Sequence, residues 1–239
     1  MIDIHCHILP RIDDGPSDME TSIEMLKMAS EDGITHTVAT PHFTYGERPT
    51  ARDIYDRVIE LKEGIMSKGI PVKVLAGADI RLTYELLYAI EKSDIPTING
   101  SRYFLLELPD LIPPNLDNLL FTAELNGLVP VITHPERNYS FLSSPGKAKS
   151  LREAGALLQL TAMSITGDFG PQIQRFSHML LKKGLVDFIA TDAHNTSRRI
   201  PVLSKAYREV AGLCDKDEAD RIFFENPLSV IENKGIKLR

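Results

Sequence analysis

Five of the seven histidines fall in four short motifs: His5-Cys6-His7, Pro41-His42, Thr133-His134-Pro135 and Asp192-Ala193-His194. His5 and His7 are two residues apart, so on an extended strand they point to the same side while Cys6 points away. Asp192 and His194 repeat that spacing near the other end of the chain. Neutral imidazole mixed with carboxylate suits Zn, Mn or Fe in the divalent range. A single histidine at a strand end is as a rule a hydrogen-bonded structural residue. Several such residues gathered on one face are another matter, because without cations their repulsion and desolvation would be costly. With Asp79 and Glu107 added, the candidates outnumber the roughly three protein ligands of one catalytic ion, which implies about two or three ions.

For these residues to meet, the chain must bring them to one face. Short β-branched apolar runs alternate with longer amphipathic segments, the pattern of an α/β protein with a largely parallel sheet. Seven strands are predicted: 2–5, 34–40, 72–76, 103–107, 129–133, 156–160 and 186–191. The first helix is expected to start in a capping box of Ser17 and Glu20. Further helices are expected over 52–68, 84–92, 116–126, 171–183 and 201–213, with Gly33, Gly69, Gly127, Gly155 and Gly184 as turn signals between elements. In parallel α/β folds function collects at the carboxyl ends of strands. The first strand delivers His5 and His7, the second His42, the third Asp79, the fourth Glu107, the fifth His134 and the seventh Asp192 and His194. No linker, repeat or low-complexity tract divides the 239 residues, so one domain over 1–239 is expected.

A net charge of −6 argues against a polyanion-binding surface, and nucleic acid is not an expected partner. The MIDIHCH start lacks the basic and apolar stretches of a secretory signal, and no run approaches the ~20 apolar residues that span a bilayer. A cytoplasmic protein without membrane insertion is expected. The two cysteines, Cys6 and Cys214, form neither a disulfide framework nor a metal knuckle. Neither has the C-x(5)-R spacing of cysteine-based tyrosine phosphatases, and SPGKAK at 144–149 is not a P-loop.

Arg137 follows His134 by three residues and Arg199 follows His194 by five, close enough to grip an anion held at the cluster. The neighbouring Arg198 is expected to pair with a surface carboxylate. Asp13 and Asp14 precede the first helix, where either a cap or a metal role is open for Asp13 and a metal role is favoured for Asp14. His36 and His178 are expected to be structural. Tyr45 and Arg48, in the loop after His42, would line an open site or belong to a surface loop.

HCH at 5–7, TPH at 40–42 and DAH at 192–194 together resemble the marks of the polymerase and histidinol phosphatase (PHP) family, and the match runs essentially end to end. Within it, HCHILPRIDDGP, THPERN at 133–138 and DAHNTSRR at 192–199 look like the bacterial tyrosine-protein phosphatases of capsular and exopolysaccharide synthesis. The resemblance implies a distorted seven-stranded barrel of β/α units. It also implies a first metal on His5, His7, Asp79 and Asp192, a second sharing Asp79 with Glu107 and His134, and a third on Asp14, His42 and His194. Manganese is the expected ion, with iron or zinc as alternatives. Phosphate-binding arginines would be Arg137 and Arg199. Asp79 departs from the glutamate usual at its position, an arm one methylene shorter. Such ions would acidify a water to hydroxide and clamp phosphate oxygens during in-line attack. The implied substrate is phosphotyrosine on a protein, with a tyrosine kinase of polysaccharide synthesis as partner. A small-molecule phosphatase of histidinol phosphate or a sugar phosphate, and a non-catalytic phospho-binding module, are the competing readings.

Overall fold

The computed structural model describes residues 1–113, 116–236 and 238. Its strands are β1 (Ile2–Cys6), β2 (His36–Ala39), β3 (His42–Phe43), β4 (Lys73–Ala76), β5 (Asp79–Arg81), β6 (Tyr103–Glu107), β7 (Val129–Thr133), β8 (Leu157–Thr161) and β9 (Phe188–Ala190). The helices are α1 (Met19–Glu31), α2 (Ala51–Lys68), α3 (Leu86–Glu91), α4 (Leu116–Leu125), α5 (Tyr139–Ser143), α6 (Gly146–Glu153), α7 (Ala162–Thr166), α8 (Pro171–Lys182), α9 (Ser204–Leu213), α10 (Lys216–Asp220) and α11 (Asn226–Ile231), with a π-helical turn at Arg221–Glu225. Every strand pairing is parallel, in a three-stranded sheet ordered β1-β2-β4 and a six-stranded sheet ordered β3-β5-β6-β7-β8-β9.

The sheets therefore differ from the seven-stranded expectation in two places. The second and third predicted strands are each followed by a separate short strand, after Pro41 and after Gly77. Proline has no N–H to give the ladder. At Gly77 a Cβ would lie 2.9 Å from Val38 Cγ1 and 3.2 Å from Thr40 Cγ2, so only glycine permits this close approach. The pairing nevertheless resumes in the same register: His36 faces Lys73 in β2 and β4, and His42 faces Asp79 in β3 and β5. No closed sheet forms among the described residues. The free edges of the two sheets meet through a bridge between Cys6 and Ala193, with His7 N donating to Ala193 O at 2.9 Å and Asp192 N to His5 O at 2.8 Å.

Inward-facing positions carry an apolar base and a polar rim. In β6, Tyr103 and Leu105 precede Glu107; in β7, Val131 precedes Thr133; in β8, Leu157 precedes Gln159; and after β9, Phe188 and Ala190 lead to Asp192. Ile98, Val230 and Ile231 pack beneath this layer, and Tyr103 Oη donates to Lys234 O at 2.6 Å across the base. The alternate positions, among them Phe104, Leu106, Ile132, Leu158 and Ile189, pack against the helices. Period-two alternation thus buries both faces and gathers the imidazoles and inward carboxylates at the carboxyl ends.

All five predicted turn glycines adopt positive φ. The first helix, however, is capped by Asp18: its Oδ1 accepts from Thr21 N at 2.8 Å, and Ser17 donates to Asp18 instead of capping. A carboxylate next to a helix N-terminus also meets the dipole favourably, which decides between two adjacent cap residues. Among the described residues no helix is long and apolar enough to cross a membrane.

Candidate metal centre

His5 and His7 leave β1 with both rings buried, and each ring has its Nδ1 tied down. Gln159 Oε1 of β8 stands 2.8 Å from His5 Nδ1, and Asp13 Oδ2 stands 2.7 Å from His7 Nδ1. An amide oxygen and a carboxylate only accept, so both Nδ1 atoms carry hydrogen and the two Nε2 atoms present lone pairs. Those Nε2 atoms face each other at 3.1 Å. Two lone pairs at that distance require a positive charge between them. In the metal-free protein a proton serves: burial opposes the charged His7 ring, but the Asp13 hydrogen bond and then Asp192 outweigh it and raise its pKa to about 10.

Asp192 Oδ1 lies 3.4 Å from both Nε2 atoms. Its backbone adopts φ 51°, and His134 adopts φ 35°. Left-handed backbone at residues other than glycine is uncommon and is found disproportionately at functional positions. The hydrogen bonds Asp192 N to His5 O and His134 N to Gln159 O hold the two turns in place.

His42 and Asp79 are register partners, which sets Asp79 Oδ2 3.5 Å from His42 Nδ1 and 3.7 Å from His5 Nε2. Even with its short arm, Asp79 lies between groups from β1 and β3. Thr133 donates to its other oxygen at 3.2 Å. Glu107 Oε2 is 3.5 Å from His42 Nδ1, and Glu107 Oε1 is 3.9 Å from His134 Nε2. Asp14, exposed on the loop after β1, reaches 3.4 Å from His194 Nε2 and 3.7 Å from His42 Nε2. His194 stacks on His7 with ring centroids 3.9 Å apart.

All nine residues singled out by spacing or resemblance thus converge. The donor atoms of eight of them fall into three groups, each within 4.8 Å: His5, His7 and Asp192; His42, Asp79 and Glu107; and His7, Asp14, His42 and His194; His134 joins none of the three. The grouping differs from the implied one: Asp79 is not in the group of His5, His7 and Asp192, His42 stands beside Asp79 and Glu107 where His134 was implied, and His7 also joins Asp14, His42 and His194. Electrostatics favour cations throughout. Burial would raise the Asp79 carboxyl, but the His5 charge and the nearby His42 imidazole hold it below its usual range. Asp192 is held down similarly against burial by His5, His7 and Arg137. Burial and then the Arg137 charge depress His134 to about 3, and burial and then His7 depress His194 to about 4. His42 Nδ1, Asp79 Oδ2 and His194 Nε2 are buried without a hydrogen-bond partner. Unpaired buried acceptors next to bare imidazole nitrogens fit divalent cations better than any hydrogen-bonded arrangement.

Arg137 and Arg199 both reach Asp192 Oδ2, Arg137 through a short hydrogen bond from Nη2 and Arg199 with its Nη2 at 2.5 Å. Arg137 also lies 5.0 Å from the Phe169 ring centroid. Both line an open cleft of about 500 Å³ together with His42, Glu107, His134 and Asp192. The cleft also contains Arg81, which sequence reasoning passed over and which donates to Glu107 Oε2 at 3.0 Å.

Two supporting residues were missed or left open. Gln159 is the one polar residue at the inward rim of the sixth predicted strand, and a glutamine in the run ALLQL was its signal. Asp13 is an orienting residue: besides His7 it accepts from Gly15 N at 3.0 Å and His42 N at 3.1 Å. His36 bonds Thr35, and His178 bonds Ile165 O, both away from the centre. Tyr45 and Arg48 do not line the cleft; they bind Asp94 and Asp53. Arg198 is exposed, and among the described residues no carboxylate pairs with its guanidinium; its backbone N–H donates to Asn195 Oδ1 at 2.7 Å. Cys6 is buried away from the cleft, where burial drives its thiol well up.

A parallel α/β sheet with clustered imidazoles and carboxylates at its carboxyl rim, and arginines at the mouth, defines a candidate multi-ion metal site of the phosphate-handling kind. The chain belongs to the CpsB/CapC family of capsular polysaccharide synthesis, whose profile matches residues 1–232. It is 39% identical over 203 residues to the tyrosine-protein phosphatase YwqE of Bacillus subtilis (strain 168), covering 83% of this chain and 79% of that protein. It is 36% identical over 213 residues to the putative tyrosine-protein phosphatase CapC of Staphylococcus aureus, covering 87% and 83%. Among solved structures it is similar to one from a study of YwqE from Bacillus subtilis and CpsB from Streptococcus pneumoniae, described as unique metal-dependent tyrosine phosphatases. That match has a TM-score of 0.96 and 33% identity, with 100% of this chain and 97% of the other covered.

Proposed function

We propose that this protein is a metal-dependent protein-tyrosine phosphatase, a single metallophosphoesterase domain over residues 1–239. The observation that carries the reading is the convergence of His5, His7, Asp14, His42, Asp79, Glu107, His134, Asp192 and His194 beneath Arg137 and Arg199, in a chain whose relatives are named tyrosine-protein phosphatases. The same proposal treats the two sheets as arcs of one distorted barrel, supported by the Cys6–Ala193 bridge and the register kept across Pro41 and Gly77.

Two or three divalent ions, manganese first and iron or zinc as alternatives, would supply an acidified water and neutralise phosphate oxygens. The protein's own groups do the rest. Gln159 and Asp13 hold His5 and His7 in the tautomer that offers Nε2 inward. Arg137 and Arg199 turn from Asp192 to grip the phosphoryl oxygens and stabilise the charge that develops there. No cysteine nucleophile takes part, since Cys6 faces away and is buried. A phenolate leaves readily because tyrosine's pKa is near ~10, which reduces the need for a general acid. The open cleft suits a side chain presented by a protein, and a tyrosine kinase of capsule or exopolysaccharide synthesis in the cytoplasm is the proposed partner, supported by the family's role.

The test is hydrolysis of a phosphotyrosine peptide beside histidinol phosphate, with Mn²⁺ supplied and His5→Ala as control. Faster, His5-dependent cleavage of the peptide is expected. Preference for histidinol phosphate would overturn the substrate, and stoichiometric metal binding without turnover would overturn the catalytic reading.

A further inference from the structure

Next to the metal-centre cleft lies a second groove of about 400 Å³ whose walls are mostly apolar: Leu82, Tyr84, Leu87, Pro109, Leu111 and Leu119. It runs between α3 and α4 and the segment that follows β6. Leu82 and Pro109 line both hollows, so the groove adjoins the cleft. Two of its walls are large apolar side chains left in solvent, Tyr84 at 84% exposure and Leu111 at 77%. Exposed apolar surface gathered around a concave site marks a place where something binds. Thr83, also in the wall, has a buried Oγ1 with no hydrogen-bond partner in the structure.

We infer that this groove is a specificity subsite for the phosphotyrosyl polypeptide, taking an apolar or aromatic side chain two or three residues from the phosphotyrosine. The inference rests on the proposed phosphatase reading and names what that site selects. The spacing follows from the shared walls, since the centres of two adjoining hollows lie about one hollow's width apart. A hollow of this volume is on the order of 8 Å across, which an extended chain covers in ~2–3 residues at about 3.3–3.6 Å each. The lining decides the chemistry: the cleft carries His, Glu, Asp and Arg, whereas the adjoining groove offers leucine, proline and tyrosine walls with Thr83 and Asn118 as its polar members. A phosphate is held in the first and an apolar side chain in the second. One substrate segment thereby meets both, and the shared Leu82–Pro109 wall favours the substrate over an unrelated partner.

The test compares Mn²⁺-loaded parent protein with a Tyr84→Ser/Leu111→Ser variant. Both substitutions lie at exposed positions and spare the fold. Substrates are p-nitrophenyl phosphate, which is too short to leave the cleft, and phosphotyrosine peptides carrying either leucine or serine at positions two and three on each side. The parent is expected to prefer a leucine peptide by roughly tenfold in kcat/KM, the usual yield of one well-filled apolar pocket, mainly through KM. In the variant that preference should fall to about twofold or less, with p-nitrophenyl phosphate turnover unchanged. Equal turnover of leucine and serine peptides by a parent that hydrolyses p-nitrophenyl phosphate would overturn the groove and leave the phosphatase reading standing. Failure to hydrolyse any aryl phosphate would remove both. Sedimentation of both proteins adds a check: a dimer lost on substitution, with leucine preference retained, would assign the groove to a second copy instead.

Discussion

Replacing Gln159 by leucine isolates the contribution of one orienting hydrogen bond. The amide oxygen is 2.8 Å from His5 Nδ1 in a fully buried setting, so no water takes its place when it is removed. A buried donor left unsatisfied costs about 1–3 kcal/mol. For a domain of this size each kcal/mol corresponds to about 2–4 °C, so the metal-free melting temperature should drop on the order of 5 °C. The second effect is on the ion. With Nδ1 no longer committed, the ring proton is free to move to Nε2, the atom needed as ligand. Loss of such partners weakens metal binding about 10–100-fold, equivalent to about 1.4–2.7 kcal/mol. Gln159→Glu separates the two effects. It keeps an acceptor at Nδ1 but loses the 2.7 Å donation from Gln159 Nε2 to Leu160 O, so it should lose stability while binding Mn²⁺ within a few-fold of the parent. Calorimetric Mn²⁺ titration and thermal melts measure both quantities. A leucine variant with native circular dichroism and Mn²⁺ affinity within twofold of the parent would refute the tautomer argument.

The proton held between His5 and His7 should leave when an ion arrives: Mn²⁺ titrations at pH 8 in buffers of different ionisation enthalpy are expected to show about one proton released, and no buffer dependence would contradict it. His7 is raised to about 10, so its contribution to metal-free stability is complete below about pH 6.5 and fades as pH climbs towards 10; urea midpoints should fall across that window, and a rise would count against the assignment. Arg137→Ala and Arg199→Ala should each lower kcat/KM by about 10²-fold, with lysine restoring only part, because a point charge cannot reproduce a guanidinium fork; full rescue by lysine would show that charge alone matters. A chelator should lower the melting temperature markedly, since an ion present at about 1,000 times its Kd adds about 4 kcal/mol, and an unchanged melt would argue that no ion is bound.

The sequence revealed most where function lay in short-range spacing. His5 with His7 and Asp192 with His194 are local pairs on extended backbone, so their common side is set before any tertiary contact forms. The turn glycines were equally legible, because a left-handed turn is a local demand. Gln159 was not, since glutamine is outside the usual ligand alphabet and its importance comes from a histidine 154 residues away. The meeting of Arg137 with Asp192, 55 residues apart, is likewise a product of the sheet. The α1 cap went to Asp18 because two adjacent residues were both good caps and only the packed structure chose between them. The predicted strands stop just before Pro41 and Gly77, but β3 and β5 beyond them were missed because two or three residues are too few to show a period-two pattern, and the short helices α5, α6, α7, α10 and α11 are likewise too short to announce themselves by periodicity.

The left-handed turns at His134 and Asp192 also bear on how this chain can change. Each imposes a conformation that costs an ordinary L-residue about 1–2 kcal/mol and glycine nothing. Glycine at His134 should therefore relieve the backbone at the expense of a metal-site side chain, whereas at Asp192 the relief is outweighed by loss of the pairs to Arg137 and Arg199, since breaking a buried ion pair costs about 3–5 kcal/mol. Stability alone thus favours keeping the aspartate and gives no such reason to keep the histidine, so the two strained turns answer to different demands.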